Sequence, residues 1–212
     1  MSHFRAFLQT SIGIAGPSCS GKTALADRLA SRLARESPLV VPLDAYYRDL
    51  SHLDPADRAM RNFDHPHAID LELLVTQMRT LAGGGSVEMP VYRFESHSRA
   101  PRRRMVEPSR SIIVEGLFTL CWKEIRALFH TRVFIDAPDA LCLARRLQRD
   151  ARARGRTAEA VRRQYERTVR PMCERYVLPT RRFAQVVVRA DQAPEEMADA
   201  VLDHIAHNRR RE

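Results

Sequence analysis

Eight residues near the start of the chain, Gly16-Pro17-Ser18-Cys19-Ser20-Gly21-Lys22-Thr23, satisfy the pattern G-x-x-x-x-G-K-[ST]. Glycines at both ends of such a loop let backbone N–H groups turn inward around phosphate oxygens. The first turn of a following helix adds unsatisfied donors and the positive end of its dipole. In that arrangement Lys22 reaches the β- and γ-phosphates of a nucleoside triphosphate, and Thr23 offers its hydroxyl to Mg²⁺. Cys19, at the loop tip, is a small residue that fits. Moving the phosphate requires an acceptor site as well, and a group that takes the proton from the attacking hydroxyl. Asp44 follows Leu39-Val-Val-Pro-Leu43 and Glu115 follows Ser111-Ile-Ile-Val114, so both stand where strands would end. A carboxylate there can hold Mg²⁺ or its water, accept a proton, or cap a turn. Tyr46 and Tyr47 follow Asp44 closely and offer a wall for a small organic acceptor.

The elements that must position these groups alternate in type. An apolar run at 11–15 precedes the loop, and helical spacing at Ala24, Leu25, Leu29 and Leu33 follows it. A second strand is expected at 39–43, with Pro42 marking an edge position or a strand end. Leu71, Leu74, Val75 and Met78 predict a helix over 70–81, stopped by Gly83-Gly84-Gly85. Residues 87–94 alternate as an edge hairpin arm does. Buried-type strands are expected at 111–115 and 132–136, helices at 121–130, 138–154 and 157–177, a last strand at 185–189 and a last helix at 194–207. Strands alternating with helices give an α/β chain, a parallel sheet covered on both faces.

The chain has 212 residues, 44% hydrophobic and 29% charged, which fits one folded domain and excludes a disordered or low-complexity chain. No apolar run approaches the ~20 residues of a membrane span, and the opening Met1–Ser11 carries no signal-peptide pattern, so a cytoplasmic protein with no membrane partner is expected. Cysteines at 19, 121, 142 and 173 form no CxxC pair and read as reduced thiols. The net charge of +9 is unevenly spread: ten arginines lie between Arg145 and Arg170 against Asp150, Glu159 and Glu166. Such a segment expects a polyanion, either a nucleotide's phosphates or a nucleic acid. The aromatic residues do not interleave with it as a stacking platform would, which argues against nucleic acid. Lysine occurs only at 22 and 123; Lys123 reads as a solvated residue at a helix start. His65 and His67 flank Pro66 and read as turn residues. The Arg102-Arg103-Arg104 run is expected in a loop.

Several blocks, in order, carry a likeness to a known family: GIAGPSCSGKT, DAYY, NFDHP at 62–66, VYRFESHSR at 91–99, IVEG at 113–116, RRLQRDARARGR at 145–156, QYERTVRP at 164–171 and LPTRRFA at 178–184. The chain resembles the uridine kinase (uridine–cytidine kinase) family over residues 12 to 190. FDHP, the Y-x-F-x-x-H-S-R block and the ARGR-to-QY stretch single that family out among P-loop proteins. The resemblance implies a single P-loop NTPase-fold domain over 1–212, with a β-hairpin acceptor arm near 86–98 and an Arg-rich helical lid near 145–170. It implies phosphorylation of uridine and cytidine at the ribose 5′-hydroxyl by ATP or GTP with Mg²⁺, in pyrimidine salvage, by a homotetramer subject to inhibition by pyrimidine triphosphates. Asp44 would be the base and a neighbour of Mg²⁺, whose surroundings Thr23 and Glu115 complete. Asp64 would hold the sugar hydroxyls with Arg146 and Gln164, while Tyr92 and His97 bond the pyrimidine edge. Phe63 and Phe94 would pack on the ring near Tyr47, and Arg149, Arg154 and Arg156 would close over the phosphates. The chain departs from the family at Ala45, usually a small polar residue, and at Arg93 and Gln185, both commonly Asp. A related kinase with another small acceptor, or a nucleic-acid-binding ATPase, is the competing expectation.

Overall fold

The computed structural model describes residues 8–210; the side chain of Arg154 and residues 1–7 lie outside the described residues. Five parallel strands form the central sheet: β1 (Thr10–Ala15), β2 (Leu39–Pro42), β7 (Ser111–Glu115), β8 (Thr131–Asp136) and β9 (Val186–Arg189), in the order β2-β7-β1-β8-β9. Pro42 is both the last residue of its strand and on an edge strand, since a residue without N–H cannot continue a central ladder.

The strands are apolar on both faces because helices cover both. One face of the sheet (Ile12, Ile14, Ile113, Val133, Ile135) packs with α1 (Lys22–Arg32) and α8 (Pro194–Arg209) through Leu25, Leu29, Met197, Val201 and Ile205. The alternate residues, among them Ile112, Val114 and Phe134, meet α3 (Leu71–Ala82) through Leu74, Met78 and Leu81, together with Phe118 and Phe129. The Asp70 carboxylate caps α3 by accepting from the Leu73 N–H at 3.3 Å. A short α2 (Pro55–Ala59) lies between β2 and α3.

Three elements differ from the sequence expectation. The helix expected at 121–130 is a single turn, α4 (Lys123–Arg126); Trp122 is extended before it, and the Leu128 and Phe129 N–H groups bond back three residues as the chain turns into β8. The hairpin arm runs on past 98. It consists of two small antiparallel ladders, β3 (Val87–Met89) with β6 (Arg104–Val106) and β4 (Tyr92–Arg93) with β5 (Ser98–Arg99). Pro90 and Pro101, neither able to donate a ladder hydrogen bond, separate the two. Arg104 therefore lies in a strand, not in a loop with Arg102 and Arg103. The helix expected at 157–177 is α6 (Ala158–Gln164) followed by π turns at Tyr165–Val169 and Cys173–Val177 around α7 (Arg170–Met172). Pro171 has no N–H for the α-helical bond, and the wider turns take up the mismatch. The preceding α5 (Asp139–Arg154) is tied to this stretch by the Tyr165 hydroxyl and the Arg170 guanidinium, both on the Asp139 carboxylate, at 2.7 and 2.9 Å.

Truncating Ile113, fully buried between β1 and β2, to alanine should cost about 2–5 kcal/mol. Urea unfolding checks this: the midpoint should fall with the slope unchanged.

Candidate active site

The site is built at the carboxyl ends of β1, β7 and β2. Glu115 is level with Ile14 on one neighbour and Pro42 on the other. Two residues past those partners stand Gly16 and Asp44, so the glycine loop, Glu115 and Asp44 leave the sheet along one edge. Gly16 has φ +151°, and a Cβ there would lie 2.7 Å from the Ile135 carbonyl oxygen. Gly21 caps α1 with φ +105°. Both are conformations that L side chains rarely adopt. Lys22 is buried and donates to the Pro17 carbonyl at 2.7 Å, while Ser20 is fully buried with an unpartnered hydroxyl. A concave loop with an orphaned buried hydroxyl and an ammonium having further donors fits a phosphate chain. Arg145, absent from the sequence-derived site, braces this loop: it reaches the Cys19 carbonyl at 3.4 Å and the Ala190 carbonyl beyond β9 at 2.9 Å.

A cleft of about 470 Å³ covers the loop from Ser18 through Thr23 and extends to Glu115. A second, of about 690 Å³, is walled by the hairpin arm, the 59–64 segment, α5 and α6. Asp44, carried on the 3₁₀ turn Leu43–Tyr46, lines both, as do Ser18, Leu117 and Arg149. The larger cleft gathers Tyr47, Phe63, Asp64, Tyr92, Phe94, His97, Arg146 and Gln164, which come from five separate stretches of chain. Phe63 stacks on His97 with ring centroids 4.6 Å apart, and Tyr47 meets Phe63 edge-on at 5.6 Å. The Tyr92 hydroxyl is buried without a partner, and burial, with the nearby Asp44 charge, pushes its pKa up to about 12. It remains a neutral hydroxyl able both to donate and to accept.

The basic segment is ordered by a residue the sequence reading counted only as a compensating charge. Asp150, fully buried, takes the Arg149 guanidinium at 2.8 Å, Arg156 at 3.4 Å and Arg146 at 3.7 Å. Arg156 also donates to the Gln164 side-chain oxygen at 2.6 Å, and Arg146 to the Ser18 hydroxyl at 3.2 Å. The i,i+4 spacing of Arg146 and Asp150 was the available signal. Of the three arginines expected over the phosphates, Arg149 lines both clefts and Arg156 only the larger; the Arg154 side chain lies outside the described residues. His65 and His67 are turn residues: His65 Nδ1 accepts from the His67 N–H, and its Nε2 meets the Tyr176 hydroxyl at 2.8 Å. Arg93 is exposed and does not line the cleft, and Gln185, just before β9, accepts from the Arg132 N–H of β8 at 2.9 Å.

The residues present suit Mg²⁺. Thr23 donates to Glu115 Oε1 at 3.1 Å, and burial raises the Glu115 pKa, with Lys22 opposing and Asp44 adding to the rise. Two mutually repelling carboxylates beside a hydroxyl are hard oxygen donors that a divalent cation would relieve. Among the described residues no cluster of three or more His, Cys, Asp or Glu could hold a metal unaided. Mg²⁺ commonly keeps few protein ligands and completes its shell with water and substrate phosphates.

A phosphate loop and an acceptor cleft that share one carboxylate at the strand ends define a P-loop phosphotransferase. The chain belongs to the phosphoribulokinase / uridine kinase family, whose model matches residues 11–195. It is 43% identical over 200 residues to the uridine kinase of Shewanella amazonensis, covering 92% of this chain and 94% of that one. To the uridine kinase of Lactobacillus johnsonii it is 42% identical over 178 residues, 84% of each chain. Its fold is shared with phosphoribulokinase from Rhodobacter spheroides at TM-score 0.64 and 18% identity, covering 87% of this chain and 71% of that one. No helix among the described residues is long and apolar enough to cross a membrane.

Asp64 yields a pH prediction. Burial raises its pKa, against the Arg146 charge, a hydrogen bond from Thr168 and the Arg149 charge. Ionising it in the fold therefore carries a cost that is absent below the ordinary carboxylate pKa of about 3.9 and complete above the raised value. Asp64→Asn should raise the urea midpoint of the unliganded protein at about pH 7.5, and the gain should fade as pH approaches about 4. A gain independent of pH would show that the charge is not the cause.

Proposed function

We propose that the protein transfers the γ-phosphoryl group of ATP or GTP to the ribose 5′-hydroxyl of uridine and cytidine, giving the nucleoside monophosphates in pyrimidine salvage. The observation that carries this reading is Asp44 in the wall common to both clefts, the larger of which is also lined by Tyr47, Phe63, Tyr92 and Phe94. In the reaction the 5′ oxygen forms a bond to the γ-phosphorus as the bond from that phosphorus to the β–γ bridging oxygen breaks. Asp44 takes the hydroxyl proton, and the nucleoside diphosphate leaves. Lys22 and the loop amides from Ser18 to Thr23 hold the β- and γ-phosphates; Arg149, with Arg154 and Arg156, adds positive charge where the transferred group's oxygens become more negative.

On the acceptor side, Asp64 takes the paired ribose hydroxyls with Arg146 and Gln164 beside it. A carboxylate left unpaired by an acceptor lacking those hydroxyls would cost about 1–3 kcal/mol. Tyr92 and His97 hydrogen-bond the pyrimidine edge, while Phe63 and Phe94 cover the ring and Tyr47 closes the slot. Thr23, Glu115 and Asp44 would surround Mg²⁺, which would supply positive charge against the phosphates. The enzyme acts in the cytoplasm as a homo-oligomer, a tetramer on the family pattern. A nucleic-acid role has less support, because Arg146, Arg149 and Arg156 turn inward onto Asp150.

The test is incubation with Mg²⁺, ATP or GTP and a panel of nucleosides: UMP and CMP should form, and no turnover on any pyrimidine nucleoside would defeat the proposal. Asp44→Asn should lower kcat by about 10²–10⁴-fold with nucleotide affinity retained. Unchanged turnover would remove Asp44 as the base.

A further inference from the structure

The hairpin formed by β4 and β5 has only two residue pairs, too few to be stable alone, and it carries the cleft residue Tyr92 with Phe94 and His97 at its tip. Something must hold it in place. Register sets Arg99 directly opposite Tyr92, and its side chain leaves the hairpin for the chain that follows β2. Arg99 Nε donates to the Tyr47 carbonyl at 2.9 Å, and Nη2 lies 3.4 Å from the Tyr46 carbonyl. The same Nη2 pairs with Asp70 Oδ2 at 3.1 Å, the carboxylate whose other oxygen caps α3. The Arg99 backbone N–H donates to Asp49 Oδ1 at 3.1 Å. Arg99 lines neither cleft, and its side chain is 18% exposed.

Tyr46 and Tyr47 are the end of, and the residue after, the turn that carries Asp44. One planar guanidinium thus spans the arm that meets the nucleobase and the backbone that aims the base catalyst, with its charge anchored on a helix cap. A fork of fixed geometry suits this task, whereas an ammonium has neither the reach nor the shape to meet two carbonyls and a carboxylate together.

We propose that Arg99 is a positioning residue that locks the acceptor arm to the Asp44 turn, so that it sets turnover through the placement of Asp44 while touching neither substrate. This rests on the reading of Asp44 as the base. Loss of the lock lets the arm and the turn move independently, and small misplacements at a reacting centre are costly: about 10²-fold for 1 Å.

The experiment is a double-mutant cycle on the full chain, measuring transfer of labelled γ-phosphate to uridine, nucleotide affinity, and ATP hydrolysis without nucleoside. Wild-type turnover of uridine is measured first; its absence defeats the proposed function and this inference together. Given turnover, Arg99→Met should lower kcat by about 10–10²-fold and raise KM for uridine, with nucleotide affinity and nucleoside-free hydrolysis unchanged. Arg99→Lys should recover only part of the loss. In the Asp44→Asn background the Arg99→Met change should cost less than about 2-fold in kcat, because its effect passes through the aspartate. The same fold-loss in both backgrounds, or no loss in kcat, overturns the proposal. If Arg99→Met fails to fold, Asp70→Asn, which keeps a helix-capping acceptor but removes the charge, runs the same cycle and must show the same non-additivity.

Discussion

Parallel pairing of three strands is the constraint on which the rest depends. Because Ile14, Glu115 and Pro42 share one level across β1, β7 and β2, the groups that follow them emerge together at one edge. A register slip of one residue would turn every side chain of a strand to its other face, and here both faces are filled by apolar packing that forbids it. The hydrophobic core therefore sets the level at which the phosphate loop and Asp44 leave the sheet, and polar contacts act on a framework that burial has already fixed.

Those polar contacts are strained electrostatically in a useful direction. Burial raises the pKa of Glu115 and of Asp64, and the orphaned hydroxyls of Ser20 and Tyr92 stand in or beside the clefts. Each is a local cost that a ligand with the matching charge or hydrogen-bonding group removes. The arginines are handled in the opposite way. Asp150 lies buried among Arg146, Arg149 and Arg156 and keeps them converged, so the positive charge of this segment is gathered at the clefts before any ligand arrives.

The sequence made the sheet, its order of elements and the phosphate loop legible, because apolar runs and the glycine–lysine pattern are local signals. The FDHP and Y-x-F-x-x-H-S-R blocks named cleft residues that no periodicity would have joined. What stayed hidden was non-local. Partnership of Val87–Met89 with Arg104–Val106 spans a stretch broken by two prolines, and the three residues Arg104–Val106 carry no readable alternation of their own. The π turns around Pro171 have no compositional mark. Asp150 and Arg99 lie inside recognised blocks, but whether a charge faces solvent or a buried partner is decided by residues elsewhere in the chain.

The two clefts draw on different parts of the sequence, and their walls are held in different ways. The smaller cleft comes from strand ends, the glycine loop and α1, elements that the core fixes; the larger is walled by a small hairpin, the 59–64 segment, α5 and α6, held by a few side chains. Such a layout lets the walls of the larger cleft vary while the sheet persists. It also accounts for where this chain departs from its family. Arg93 sits on the arm, yet alternation along β4 turns it to solvent between Tyr92 and Phe94, which face the cleft. The pleat, not the position along the chain, therefore decides which side chains line the cleft.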